Sequence, residues 1–306
     1  MKQQEFKIEI IGNQVHILRC FTMGGGVVIP REIDGYPVTE IAPYAFSAHS
    51  EDKDSNAVCG AMLTEIVLPD TLKRIGRYAF YGCENLEKIS FYSHIKDIGA
   101  GAFTGCHKVR NLDVTIVEGK RSCLRELLME LREEQSVCYH SEKGEAKLIF
   151  PEFFEEAVEN TPARILETHT HGSGILYRNC FVQTKLQFAL YDNRFPWARE
   201  NEQLATVFRI AFGRLLNPLE LSLEAEEKYR SFLQEQWKEA GVWAAEQEEP
   251  CYLHYLAEKV AATREEVEYL IVEAGKKNRI ETVSYLMNYQ HERYPERVKK
   301  VDKFEL

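Results

Sequence analysis

Residues 63–85 read LTEIVLPDTLKRIGRYAFYGCEN, and residues 86–108 read LEKISFYSHIKDIGAGAFTGCHK. Set one under the other, they agree at Leu63/Leu86, Ile66/Ile89, Leu72/Ile95, Ile75/Ile98, Gly76/Gly99, Ala79/Ala102, Phe80/Phe103, Gly82/Gly105 and Cys83/Cys106, a period of 23 residues. An earlier copy, VVIPREIDGYPVTEIAPYAFSA, begins at Val27 and carries Ala45-Phe46. Phe46 lies 34 residues before Phe80, one period plus 11, and the excess falls in the polar stretch HSEDKDSNAVCG, which reads as a loop insertion. A partial fourth copy, VRNLDVTIVEG, runs from Val109 to Gly119.

Each unit holds two short apolar segments, such as Ile66-Val67-Leu68 and Leu72-Lys73-Arg74-Ile75, followed by a turn or helical piece bearing Ala-Phe. One such unit cannot bury its own apolar side, but stacked units share a continuous core. In a stack, Phe46, Phe80 and Phe103 form an internal aromatic ladder, with Cys83 and Cys106 as small buried thiols beside it. Gly76 and Gly99 close the second segment, where positive φ or close packing excludes a side chain.

IPREIDGYPVTEIAPYAF and IVLPDTLKRIGRYAFYGCENL resemble the BspA-type leucine-rich repeat, whose 23-residue units carry an I-P…I-G-x-x-A-F-x-G-C pattern. The likeness covers roughly residues 27–119. It implies a short curved solenoid with a strand-lined face, and a role as a protein-binding surface, many family members being secreted. The first copy departs from the pattern, with Ser47-Ala48 where the later ones have Gly-Cys.

Ahead of the repeats, Phe6, Ile8 and Ile10 alternate with polar residues, Gly12-Asn13 turns the chain, and Val15 and Ile17 alternate again. This reads as a β-hairpin capping the open end of the solenoid. After Gly119 the period changes. Leu124, Leu127, Leu128 and Leu131 form one helical stripe. In SVCYHSEKGEAKLIFP, Lys143-Gly144 is a hairpin turn or linker. PEFFEEAVENTP, CFVQTKLQFALYDN and NEQLATVFRIAFGRLL read as helices, and LSLEAEEKYRSFLQEQWKEAGVWAAEQ as a longer one broken at Gly241. Thr263-Arg264-Glu265-Glu266 has capping-box form and opens a helical hairpin over 263–290 that resembles the end of an ankyrin-like array. Residues beyond about 120 resemble the helical extension that follows such repeats in some bacterial proteins. The expected fold is therefore α+β: a leucine-rich-repeat solenoid with an N-terminal hairpin over 1–119, then an all-α domain over 120–306, with 145–180 a linker or irregular segment.

The 306 residues include 48 acidic and 38 Lys/Arg, a net charge of −10. That balance argues against a dedicated nucleic-acid binder and against recruitment to anionic membranes. Residues 220–249, with nine acids against three bases, read as a solvated helix face or a docking surface for a basic partner. The basic tail from Arg293 to Lys303 is interrupted by acids and reads as a solvated terminus. The N-terminal stretch lacks the charged-then-apolar form of a secretory leader, so the expected location is the cytoplasm. Eight cysteines without a CxxC pair are then expected as thiols.

LETHTHGSGILYRNCF invites a catalytic reading. His169 and His171 share one face if the segment is a strand, the start of a metal site, and Cys180 follows as a ligand or nucleophile. No HExxH or long phosphate-loop pattern accompanies them. The leading expectation is instead a non-enzymatic adaptor without metal or cofactor, binding a protein partner and neither nucleic acid nor membrane. Its binding residues are the polar repeat positions Glu65, Lys73, Arg74, Lys88, Lys96 and Asp97, which recur in phase as a surface row. A metal-dependent or thiol enzyme at His169, His171 and Cys180 is the alternative, and a secreted adhesion protein is another.

Overall fold

The computed structural model describes residues 4–48, 56–160 and 165–295. By contact the chain divides into two compact units, Met1–Leu221 and Ser222–Leu306.

The first unit opens with the hairpin of β1 (Glu5–Ile11) and β2 (Gln14–Phe21). Gly12 and Asn13 turn it at φ 56° and 61°. A two-residue hairpin turn that follows the strand twist needs positive φ at both central positions, which Gly-Asn supplies. There follow β3 (Gly26–Val28), β4 (Glu32–Ile33), β5 (Tyr36–Ile41), β6 (Glu65–Val67), β7 (Arg74–Ile75), β8 (Lys88–Tyr92), β9 (Asp97–Ile98) and β10 (Asn111–Thr115). The repeats deal their strands alternately into two parallel sheets. β3, β6, β8 and β10 make a broad sheet, while β5, β7 and β9 continue β2 in a narrow one. Two strand faces therefore exist where the repeat pattern suggested one. Val27, Ile66, Ile89 and Leu112 point inward from the broad sheet, and Ile17, Ile41 and Ile75 from the narrow one, all of them buried.

α1 (Leu124–Glu130) follows, its stripe of Leu124, Leu127 and Leu128 buried. β11 (Gln135–Ser141) then adds parallel to β10, and β12 (Gly144–Phe150) folds back antiparallel on β11. The broad sheet thus runs past residue 119, and the region beyond that point is helical but not all-α. Val137, Tyr139, Ala146 and Leu148 alternate inward, a period-2 pattern that the polar turn Lys143-Gly144 hides. The chain's compact units accordingly part after Leu221 rather than after 119.

β13 (Phe154–Asn160) and β14 (Ile165–His171) form a separate antiparallel hairpin. The sequence reading expected a short helix in PEFFEEAVENTP, with Pro151 in its first turn and Pro162 beyond its end, but pairing with β14 decides the backbone, and a distant partner leaves no trace in local periodicity. The prolyl end of that stretch, residues 161–164, lies outside the described residues. α2 (Gly174–Arg178) leads into a second small hairpin, β15 (Phe181–Val182) with β16 (Lys185–Leu186), where a helix was expected from Cys180 onward. Gln183, at φ 56°, makes its turn. α3 (Phe188–Asp192), α4 (Phe195–Asn201) and α5 (Leu204–Leu216) complete the unit.

These helices are tied to the solenoid's last strands by buried polar groups. Tyr191 Oη donates to the Ile149 carbonyl at 2.7 Å and accepts from the Ile149 N–H at 2.8 Å. Arg178 is fully buried, and its guanidinium donates to the carbonyls of Leu128, Leu131, Glu133, Pro151 and Gly174 while lying over the Phe153 ring. One planar, five-donor group thereby joins the end of α1, the end of β12 and the start of α2. Arg214 and Asp192 form a second buried pair, with contacts at 2.8 and 3.1 Å.

The second unit is helical: α6 (Leu223–Glu235), α7 (Trp237–Glu246), α8 (Cys251–Tyr255) with a π-helical turn over Leu256–Val260, α9 (Arg264–Lys276) and α10 (Ile280–Arg293). The break between α6 and α7 falls at Gln236, not at Gly241. Gly241 lies inside α7, where a Cβ would meet Tyr269 and Leu270 of α9 at 3.0 and 3.1 Å, so the glycine permits close helix approach. Thr263 and Glu266 close the capping box of α9 reciprocally.

Candidate binding faces of the solenoid

The aromatic ladder is present inside the solenoid. Phe46 and Phe80 stack at 5.3 Å with 7° between ring planes, and Phe80 and Phe103 at 5.0 Å with 10°. Cys83 and Cys106 lie beside it, their thiols donating to the carbonyls of Phe46 (3.3 Å) and Phe80 (3.1 Å). Gly76 and Gly99 serve close packing: a Cβ on Gly76 would stand 2.4 Å from Pro43 N, and one on Gly99 2.4 Å from Arg77 N. A second ladder escaped the sequence reading. Tyr44 and Tyr78, in phase with Gly101, all have positive φ (58°, 52° and 66°), and the two tyrosine rings stack at 5.4 Å. Left-handed backbone is unfavourable for tyrosine, so the ring stacking offsets local strain. Gly101 takes the position where the Tyr78 ring would collide with a Cβ.

The core fixes which side chains face outward. On the broad sheet, register aligns Glu65, Lys88, Asn111 and Ser136 in one row and Val67, Ser90, Asp113 and Cys138 in the next. Glu65 and Lys88 pair at 3.3 Å. On the narrow sheet Glu40, Arg74 and Asp97 align, with Arg74 bonded to Asp97 at 3.0 Å and 3.8 Å from Glu40. Lys73 and Lys96 sit exposed one residue before this row. The six residues singled out from sequence therefore occupy two faces, Glu65 and Lys88 on one and the other four on the second. The broad face also carries His140, which the sequence reading weighed only as a possible further ligand beside His169 and His171. His140 lies 3.1 Å from Asp113 through Nε2 and 3.0 Å from Glu145 through Nδ1. The usable signal was the alternation of Val137 and Tyr139, 25 residues after Leu112 and Val114 and so close to the repeat period.

Of the catalytic alternative, the structure describes the side chains of His171 and Cys180. His169 and His171 do share β14, but the His169 side chain lies outside the described residues. His171 is exposed, stacked on Phe154 at 4.5 Å and 3.4 Å from the Glu156 carboxylate. Cys180 is fully buried beyond α2, donates to the Leu176 carbonyl at 3.3 Å, and has its thiol pKa raised by burial. A buried thiol held protonated is a poor nucleophile and ligand. Among the described residues no three His, Cys, Asp or Glu side chains converge on a metal-sized site, and no helix is long and apolar enough to cross a membrane.

Comparison with known proteins bears on the repeats. No curated protein matches the chain. A leucine rich cell surface protein from Faecalibacterium prausnitzii is 23% identical over 40% of this chain and 38% of its own, with a TM-score of 0.29. The T. pallidum Leucine Rich Repeat protein is 26% identical over 35% of this chain and 68% of its own, TM-score 0.25. A leucine-rich repeat protein from Bacteroides capillosus is 21% identical over 39% of this chain and 88% of its own, TM-score 0.28. The chain thus spans 38% of the length of the first of these. Repeat proteins of this kind are generally protein-interaction or surface proteins. Residues 39–125 match the model of the BspA type Leucine rich repeat region in six copies, and this chain carries such a region.

Proposed function

We propose that the chain is a protein-binding scaffold and that the outward face of the broad sheet is its recognition surface. The observation that supports this is the register. β6, β8, β10 and β11 hold Glu65, Lys88, Asn111 and Ser136 in one row, with a second row parallel to it. The strands are fixed from behind by their buried row of Ile66, Ile89, Leu112 and Val137, so the face is preorganised and loses little entropy on binding. Apart from Val67 and Cys138 its rows are polar and of mixed charge, which fits a polar partner surface read by complementarity. The narrow face, with Lys73 and Lys96, serves as a second contact in the same reading.

A cytoplasmic location belongs to the same proposal. It is supported by the thiols of Cys83 and Cys106, which donate hydrogen bonds within the core and can do so only while reduced.

Affinity capture with the full chain tests the reading, comparing Lys88→Glu/Asp113→Lys with Lys73→Glu/Lys96→Glu. A partner lost with the first pair and kept with the second places recognition on the broad face. A partner indifferent to both pairs, or lost only with the second, sinks that assignment.

A further inference from the structure

An edge strand presents a row of unpaired N–H and C=O groups that another strand can extend. The solenoid's N-terminal end has two such edges, β3 and β1. The first is closed from within: the Gln4 side chain donates to the Gly26 carbonyl at 3.1 Å and accepts from the Val28 N–H at 3.2 Å, as a neighbouring peptide group would. The second is not. The two-residue turn makes Ile11 and Gln14 a bonded pair, so Ile8 and Ile10 turn their N–H and C=O groups away from β2. Among the described residues β1 pairs only with β2, and no backbone bond from elsewhere reaches Ile8 or Ile10.

The side chains of β1 carry a matching asymmetry. Ile8 and Ile10 lie opposite Ile17 and Val15, on the core side of the sheet, yet the row they belong to ends unfinished. Ile10 is 46% exposed, and Phe6 and Ile8 are only half-buried. On the opposite side stand Glu5, Lys7 and Glu9, all exposed.

We propose that β1 pairs antiparallel with β1 of a second copy, Ile8 opposite Ile8, so that two solenoids join end to end through the narrow sheet. Several facts select this register. It pairs all seven residues of the strand. It places the outward-turned backbone of Ile8 against that of Ile8 in the other copy, and that of Ile10 against Phe6. It sets Phe6 against Ile10 on the core side and continues the apolar row across the dyad. On the solvent side it sets Lys7 of each copy opposite Glu9 of the other. A shift in either direction loses this: centred on Lys7 it opposes Lys7 to Lys7 and Glu5 to Glu9, and centred on Glu9 it opposes Glu9 to Glu9. Like charges directly opposite destabilise a strand pair, so the charges specify one register. A single strand pair buries less than a standard interface, so the dimer is weak and concentration-dependent.

Sedimentation of the full chain over a range of concentrations tests this, with far-UV circular dichroism confirming that each variant is folded. Wild type is expected to dimerise. Lys7→Glu alone sets Glu against Glu twice, and Glu9→Lys alone sets Lys against Lys twice, so each is expected to weaken self-association by about tenfold. Mixing the two single variants restores both attractions and is expected to give a heterodimer at wild-type strength. A chain that stays monomeric at every concentration overturns the proposal. So does a dimer that both variants leave unchanged, or a mixture that fails to recover.

Discussion

The carboxylate of Glu130 accepts the backbone N–H of Phe103 at 3.3 Å. In the preceding repeats the same N–H ends on the next repeat's carbonyl, Phe46 on Ala79 at 2.8 Å and Phe80 on Ala102 at 2.9 Å. After Phe103 no further Ala-Phe unit follows, and α1 supplies a side chain in place of the missing carbonyl. Glu130→Ala is therefore expected to leave a donor of a buried residue unsatisfied and to cost about 1–3 kcal/mol. Glu130→Gln keeps an acceptor and should cost under about 1 kcal/mol. Urea unfolding of both variants checks this. Equal losses would mean that Glu130 acts by charge rather than as an acceptor.

Gly76 and Gly99 test the stacking of successive turns. In each, a methyl group would stand 2.4 Å from backbone of the preceding turn, which cannot yield as a side-chain tip can. Gly76→Ala and Gly99→Ala are expected to destabilise by about 3 kcal/mol or more. Gly275, exposed in α9 with open space around its Cβ position, gives the opposite expectation. Gly275→Ala should stabilise by about 0.5–1 kcal/mol through the unfolded chain. Thermal unfolding of the three variants decides whether space or glycine content governs.

The contrast between repeat and non-repeat parts explains what the sequence makes legible. Phe46, Phe80 and Phe103 recur in phase, so three positions testify to one environment, and the stacked ladder follows. β13 has no such second witness. Its pairing with β14 depends on a register set some ten residues away, and Phe154 to Asn160 alone carries a pattern that suits a helix equally well. The same holds at β15 and β16, where a turn at Gln183 with positive φ replaces the expected helix. For the candidate surface, phase identified Lys73 with Lys96 and Arg74 with Asp97 as outward residues. It could not tell that the repeat's two strands belong to different sheets, since both alternate with period 2.

Thiol reactivity separates packing cysteines from chemical ones. Burial pushes Cys20 and Cys123 up to about 12 and raises Cys138 and Cys180, while the hydrogen bond with Cys106, with burial beside it, raises Cys83. The reactive thiolate is then scarce at all five. Cys251 is exposed at the start of α8. Alkylation of the native protein at neutral pH should label Cys251 first and leave Cys83, Cys106 and Cys180 unlabelled until denaturant is added. Rapid labelling of native Cys180 would restore the thiol-enzyme reading.

His254 gives the second unit a pH dependence of definite sign. Its ring stacks on Tyr285 at 3.8 Å, and burial lowers its pKa below the usual 6.5, against a smaller opposing effect of Glu258. The unfolded chain then binds the proton more readily than the folded one. Stability is full above about pH 6.5 and falls as pH drops from there through the folded value. Tyr285 donates its hydroxyl to Glu258, so the ring that covers His254 is itself held in place. Protection of α8 and α10 against hydrogen exchange, corrected for the intrinsic exchange rate at each pH, should fall as pH is lowered from about 6.5. His254→Phe, which keeps the stacked ring and removes the titrating group, should flatten that response. An unchanged slope in His254→Phe would assign the pH dependence to another group.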